Sequence, residues 1–481
     1  LLAPSLRVGN QWLDHAARSD CPSVNIHVKT VKNLALDAAA PRMAARGLSL
    51  VSGARAEILL DRAWAEVRRG FPRGYLSGIE PGIDLSRALL HAVDSLRLSG
   101  VDGRGLSPDH FESGVKGREL AALAVRYSQL LEEEHLADYA AVLDMACRAL
   151  RENPPPGNGL LLIPENLELD RLERRFIETF PRENRVPLPV DDPDRAVRGK
   201  RASFKAKFDF FRAHGPAGEF REVLRRCVRS GISFDKVEVL HTNREKYLPV
   251  IYEFSKKLSA APGKGSPAKL PVTFAEGVPA SYSRPGRALE AWVRWIADDF
   301  SQKGMARMIA AGLLELPGAA GDAGFTRSSA VFRTLPVGHG KERYPEIFEK
   351  GIRAVRSRIQ ALLRSEDNNG AESAIRGLRR RNDILESLRD LTKSITGICP
   401  DGGESSVVFA RAASFLEKHC RCVDDLDNYA RVRLLESIRE MEELTAQGSP
   451  AGLDAFEWLE ELPSSCGVMG SLPRPGCMHV D

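Results

Sequence analysis

Apolar positions change their spacing several times along the chain, and those changes mark out its elements. Leu1 to Ala3 is a short apolar run stopped by Pro4, Val8 to Ala17 carries helical periodicity, and Val24 to Val28 sets Ile26 and Val28 on one face, as a strand does. The chain therefore opens strand, helix, strand, helix. From Arg55 to Arg151 amphipathic helices dominate; Glu119 to Glu134 aligns Leu120, Leu123, Ala124, Tyr127, Leu130 and Leu131 in one stripe. The breaker Pro154-Pro155-Pro156-Gly157 precedes Leu160-Leu161-Leu162-Ile163, a continuous apolar run of the kind expected for a strand covered on both faces.

A Pro- and Asp-rich connector from Val186 to Arg201 ends that block, and residues 205–211 read as another strand. A helix over 217–230, a strand from Val237 to Leu240 and a helix from Arg244 to Leu258 follow. Pro262 to Pro271 has the composition of a loop, Val272-Thr273-Phe274 restarts a strand, and an amphipathic helix runs from Arg287 onward. Between about residues 300 and 460 the pattern is mostly helical, and no internal repeat occurs. Strands alternating with helices imply an α/β fold with parallel sheets, here with large helical insertions.

Composition changes this picture little. In 481 residues, 43% are hydrophobic and 28% charged, ordinary for a globular chain of about three domains. The 69 Lys+Arg against 65 Asp+Glu leave a net charge of +4, too small to argue for a polyanion partner, so any nucleic-acid contact must come from local patches. No run reaches the ~18 apolar residues of a membrane span, and the eight scattered cysteines suggest a reducing cytoplasm rather than a disulfide framework. His419, Cys420 and Cys422 lack a second Cys or His pair at zinc spacing, which favours a helix end with buried thiols. The opening Leu-Leu-Ala-Pro-Ser, without an initial Met, reads as the end of a buried strand, so the natural start is expected upstream.

Several strings in this order resemble the AddB/RecB type of helicase-nuclease, relatives of superfamily-one helicases such as UvrD. Leu2 to Val8 resembles the strand and turn after the P-loop helix, and Val28 to Ala35 the next segment that touches single-stranded DNA. Residues 215–229 resemble the helix that opens the second RecA-like domain, and Val237 to Arg244 the fourth helicase motif. Phe274 to Pro279 and Ser283 to Leu289 are the strongest stretch. Gly338 to Tyr344 and the terminal Arg474 to Val480 are more similar to AddB-like proteins than to true helicases.

The resemblance implies two RecA-like parallel sheets. Residues 1–200 would be the first domain without its P-loop, with a helical insertion at about 55–150; residues 201–300 would begin the second domain. Residues 301–481 would be a mostly helical insertion ending before the fifth motif, with a PD-(D/E)XK nuclease beyond. The implied DNA contacts are Ser5, Arg7, Thr30, Arg284 and Arg287, through phosphates rather than bases. Ser5 and Thr30 are also good helix caps, which is the commoner use of such residues.

Nucleotide hydrolysis by this class needs a Gly-rich loop with Lys and Ser/Thr, and no such string occurs. It also needs an Asp-Glu pair after a buried strand; Pro164 stands at the place of the metal-holding Asp, and Glu165 alone remains. His241 stands where active relatives have the Arg of the fourth motif, with Arg244 three residues on, and a neutral imidazole replaces a bidentate guanidinium poorly. The expectation is a non-catalytic fragment of a hydrolase: an ATPase-inactive DNA-binding scaffold for double-strand-break repair. It would hold no cofactor itself, Mg and ATP belonging to the full-length protein or to a motor subunit of AddA type. Two alternatives stay open, an active ATP-dependent helicase whose P-loop lies upstream of residue 1, and an unrelated soluble α/β binding protein.

Two basic groups could supply phosphate contacts: nine Lys/Arg against three Asp/Glu between residues 200 and 229, and Arg376, Arg379, Arg380 and Arg381 on a predicted helix. For the second, a solvated face with Glu partners is an equal reading. Trp292 and Trp295 could stack on bases, but beside Leu289, Val293 and Ile296 their spacing is that of a core.

Overall fold

A computed structural model shows a mostly helical chain with small parallel sheets. It describes all residues except 19–23, 52, 80–82, 102, 154–158, 190–208, 260–270, 320, 365–370, 401, 447–453, 472–473, 475 and 481. Two compact units divide the chain, the first formed by Leu1–Phe211 and the second by Arg212–Ser449 with Asp454–Asp481. Among the described residues no helix is long and apolar enough to cross a membrane.

The first unit contains α1 (Leu6–Arg18), α2 (Val31–Ala45), α3 (Gly53–Gly70), α4 (Ile83–Leu98), α5 (Gly114–Glu133), α6 (Tyr139–Glu152) and α7 (Arg171–Glu178). In α2, Val31, Ala35, Ala39 and Met43 recur every fourth residue, so one narrow face is buried. The small alanines let α2 lie close to α6, whose Val142, Leu143 and Ala146 join the same core with Phe176 and Ile177 of α7. The stripe of α5 is buried as its periodicity predicts, from Leu120 to Leu131.

The unit's main sheet is narrow. Leu2 bridges Lys29 in parallel, with Ala3 N–H donating to Lys29 O at 3.0 Å and Lys29 N–H to Leu1 O at 3.0 Å. On the other side Leu2 N–H donates to Leu162 O at 2.9 Å. The short strands β1 (Ser49–Leu50) and β2 (Leu136–Ala137) pair in parallel, as do β3 (Leu161–Pro164) and β4 (Arg185–Leu188), in register from Leu161–Arg185 to Pro164–Leu188.

Two strands expected from the sequence differ from their apolar runs: none forms over Val24–Val28, and the one expected over Leu160–Ile163 is shifted by a residue, to Leu161–Pro164. Val24 is exposed and the segment before Lys29 makes only the contacts of a bridge; Leu160 precedes the first ladder pair and is 63% exposed. Apolar side chains there extend past the backbone partners that would hold them in a sheet. The connector expected from Val186 begins instead as strand β4, which runs to Leu188 because it pairs with β3; residues 190–201 and most of the strand expected over 205–211 lie outside the described residues, and 209–211 form no strand.

In the second unit β5 (Glu238–Val239), β6 (Val272–Phe274) and β9 (Met478–Val480) make a parallel sheet in the order β5-β9-β6, while β7 (Val278–Pro279) and β8 (Gly467–Val468) pair antiparallel. The chain thus returns to the centre of this sheet at its last described residues, after a long helical stretch. The helices are α8 (Gly215–Arg229), α9 (Arg244–Ser259), α10 (Arg284–Ala297), α11 (Gln302–Ala310), α12 (Gly321–Arg333), α13 (Arg343–Arg364), α14 (Ala371–Ile398), α15 (Ser405–His419), α16 (Asp425–Thr445) and α17 (Ala455–Ser465). Trp292 and Trp295 of α10 are both buried: Trp292 stacks on Phe415 at 5.0 Å, and Trp295 donates its indole N–H to Ser301 O at 3.0 Å. They are core, not a base-stacking platform.

Candidate nucleic-acid interface

In the first unit the parallel segments ending at Ala3 and Lys29 are each followed at once by a helix start. Ser5 Oγ accepts from Val8 N–H at 3.2 Å and Thr30 Oγ1 from Asn33 N–H at 3.1 Å, so both hydroxyls satisfy N–H groups that the first helical turn leaves without partners. A Cβ on Gly9 would stand 2.3 Å from Val28 Cγ1, so only glycine lets α1 pack this closely on the neighbouring segment. Arg7 lies in the first turn of α1, half-buried. The structure brings Ser5, Arg7 and Thr30 to one edge of the sheet, with two hydroxyls already committed to capping.

β3 ends beside this group. Pro164 is buried and paired in register with Leu188, while Glu165 is exposed and donates its backbone N–H to Leu188 O at 3.0 Å. A proline offers a cation no ligand, and one solvated carboxylate is a weak site. Among the described residues no group of three His, Cys, Asp or Glu is placed to hold a metal ion. These residues do not fit a magnesium-nucleotide.

In the second unit the carboxyl ends of β5 and β6 carry the other positions. His241 follows β5 by two residues and is half-buried; Asn243 Oδ1 caps α9 through Lys246 N–H at 2.9 Å. Arg244 donates Nη1 to Glu276 Oε2 at 3.0 Å, just beyond β6. The guanidinium is therefore matched by a carboxylate of its own chain, not left for a phosphate. Pro164 and Glu165 belong to the first unit, His241 and Arg244 to the second.

Arg284 and Arg287 begin α10, where Ser283 Oγ accepts from Gly286 N–H at 3.0 Å as the cap. The two arginines have different roles. Arg284 donates Nη1 to Asp427 Oδ2 at 2.7 Å and its backbone N–H to Asp427 Oδ1 at 2.8 Å, and lies 3.6 Å from Asp424. Burial pulls its guanidinium down, but the Asp427 hydrogen bond and the two carboxylate charges outweigh this and hold it above the usual arginine range. Asp427 is 1% exposed and also accepts from Val423 N–H at 3.0 Å. Lys256 Nζ lies 3.4 Å from Asp424.

Arg287 is exposed and its Nε makes a long, 3.4 Å hydrogen bond to Ser283 O, so its charge faces solvent. The polar cleft over these groups, lined also by Glu253, Tyr282 and Leu426, measures about 60 Å³. That is room for about two waters and excludes a nucleobase. Sequence reading found Arg284 but missed Asp424 and Asp427; the signal was their i, i+3 spacing at a helix start, with Asp424 Oδ1 accepting from Asp427 N–H at 3.0 Å.

Elsewhere, His419 is buried and its Nε2 is 3.2 Å from Ser394 Oγ, and burial holds the Cys420 thiol well above its usual range, as befits packed thiols rather than ligands. No known protein-family profile matches the chain, and a search of curated proteins finds no match to it.

Proposed function

We propose that the chain is a helicase-like DNA-binding scaffold of a double-strand-break repair helicase-nuclease, without ATP hydrolysis of its own and with the nuclease in a part beyond these residues. On this reading the small parallel sheets of the two units are the remnants of RecA-like domains, and a motor subunit of AddA type supplies ATP and magnesium chemistry. The supporting observation is the first sheet. Ser5, Arg7 and Thr30 follow its parallel segments at one edge, where α/β sheets bind ligands, and Pro164 closes the neighbouring strand where hydrolysis requires a carboxylate. Helix starts, Arg7 and, in the second unit, Arg287 offer sequence-independent phosphate contacts.

Filter binding of the chain to single-stranded DNA across a salt series tests this. Affinity should fall with salt by about 0.7 log unit per log unit for each phosphate neutralised, and Arg7→Ala and Arg287→Ala should each lower both affinity and slope. Absent or salt-independent binding overturns the reading. Coding sequence holding G-K-[ST] before Leu1 would instead support an active helicase.

A second reading, an α/β binding protein unrelated to nucleic acid, is favoured by one group of observations. The Ser5 and Thr30 hydroxyls cap helices, and Arg284 is neutralised by Asp427.

A further inference from the structure

The helices α13 and α14 pack side by side as an antiparallel hairpin, held in register by Arg356 Nη2–Glu386 Oε1 at 2.6 Å and Arg389 Nη1–Glu349 Oε1 at 3.3 Å. Continuing that register towards the tip brings Arg364 opposite Arg376. On α14, Arg376, Arg379 and Arg380 recur at i, i+3 and i+4, on the side away from the buried Leu385, Leu388 and Ile395. Arg358, Arg364, Arg376, Arg379 and Arg380 are all exposed, and no ion pair or hydrogen bond joins them to another described residue. Glu372 and Asp383 are one turn away from Arg376 and Arg379, yet no ion pair forms. Arg381, by contrast, is held by Thr334 Oγ1 at 2.8 Å. Like charges at i, i+3 and i+4 on one exposed helix face cost stability, and a partner with repeated negative charge removes that cost.

We propose that the exposed arginines Arg376, Arg379 and Arg380 of α14, with Arg364 of α13, form a binding surface for the phosphodiester backbone of nucleic acid, read without regard to base. Guanidinium forks match phosphate oxygens in pairs. Arg376 and Arg380 stand about 6 Å apart along the helix axis, so that charges repeat along the surface rather than converge on one point. Among the described residues of α13 and α14, Leu363 is the one large apolar side chain that is exposed, so these residues offer little apolar anchorage to a peptide. The assignment stands on the hairpin alone, independent of the helicase-like reading.

The test is fluorescence anisotropy of labelled oligo-dT with the whole chain over a salt series, comparing wild type, the triple variant R376E/R379E/R380E, the triple lysine variant, and R7A/R287A. Circular dichroism and thermal unfolding confirm that each variant folds, as exposed positions lead one to expect. The charge-reversed protein should bind at least ~10-fold more weakly with a salt slope reduced by about 2, since each lost phosphate contact removes about 0.7 from a single-strand slope. The lysine variant should keep most of that slope. Unchanged affinity and slope in R376E/R379E/R380E overturn the proposal, even if R7A/R287A loses binding and so upholds the separate contacts at Arg7 and Arg287. Loss in the charge-reversed protein alone upholds the α13–α14 arginines and removes the contacts at Arg7 and Arg287. No binding by wild type, or equal affinity for poly-glutamate through the same arginines, overturns the nucleic-acid assignment.

Discussion

Replacing Asp427 of α16 by alanine should unfold the second unit more easily than any single change at the start of α10, which it holds. The carboxylate is 1% exposed and accepts from three donors: the Arg284 backbone N–H at 2.8 Å, its Nη1 at 2.7 Å and the Val423 N–H at 3.0 Å. Truncation leaves two backbone donors without their acceptor and a half-buried guanidinium facing only Asp424, 3.6 Å away. A buried donor without a partner costs about 1–3 kcal/mol, but water entering the cleft recovers part of this at the guanidinium. The expected loss is therefore about 3–5 kcal/mol, the range for breaking one side of a buried ion pair.

Urea unfolding followed by tryptophan emission measures the loss, and hydrogen exchange resolves whether α10 and α16 loosen first. A cycle with Arg284→Ala should give a coupling of about 1–3 kcal/mol. A destabilisation by D427A below about 1 kcal/mol, or a coupling near zero, would refute the reasoning that Arg284 is a structural cation. If D427A folds but binds single-stranded DNA more tightly, Arg284 is a phosphate ligand held in reserve, and its structural assignment fails on that ground too.

Three further outcomes follow from other parts of the molecule. A Cβ at Gly286 would stand 2.1 Å from the Ala280 carbonyl oxygen, so Gly286→Ala should cost about 2–3 kcal/mol by urea unfolding; an unchanged midpoint would mean that the turn before α10 shifts freely. Burial, then the charge of Asp138, pushes the Asp94 carboxyl up to about 6 despite Arg97 and His91. The folded state therefore holds that proton more tightly than the unfolded chain, and stability present below about pH 4 is lost as pH rises through about 6. Asp94→Asn should flatten that decline and add about 1–2 kcal/mol at pH 7 once solvent screening is allowed for, and a parallel pH profile in the variant would count against it. Trp292 is fully buried, stacks on Phe415 and leaves its indole N–H without a partner, so Trp292→Phe should cost under about 1.5 kcal/mol and Trp292→Ala about 3–5; a large loss in the phenylalanine variant would point to a hydrogen bond at that nitrogen.

How far each expectation was realised follows from the range of the interaction behind it. Local periodicity was enough for the α5 stripe, for the helix from Arg244 and for the strand at Val272, because an amphipathic stripe or a short β-branched run is written within one element. Caps at Ser5 and Thr30 were equally legible, since each acts on an N–H three residues away.

Partners distant in sequence were not legible. Nothing near Arg284 announces that Asp427, over a hundred residues later, removes its charge from solvent, and nothing near Val237 announces that Met478–Val480 inserts between β5 and β6. Read alone, the sequence indicated the main helical stretches, the caps at Ser5 and Thr30, and that Pro164 offers no metal ligand. Only the tertiary structure decided which arginines are neutralised and which remain free, because a charge's partner depends on which helices pack together, and that packing is not written in any single stretch of chain.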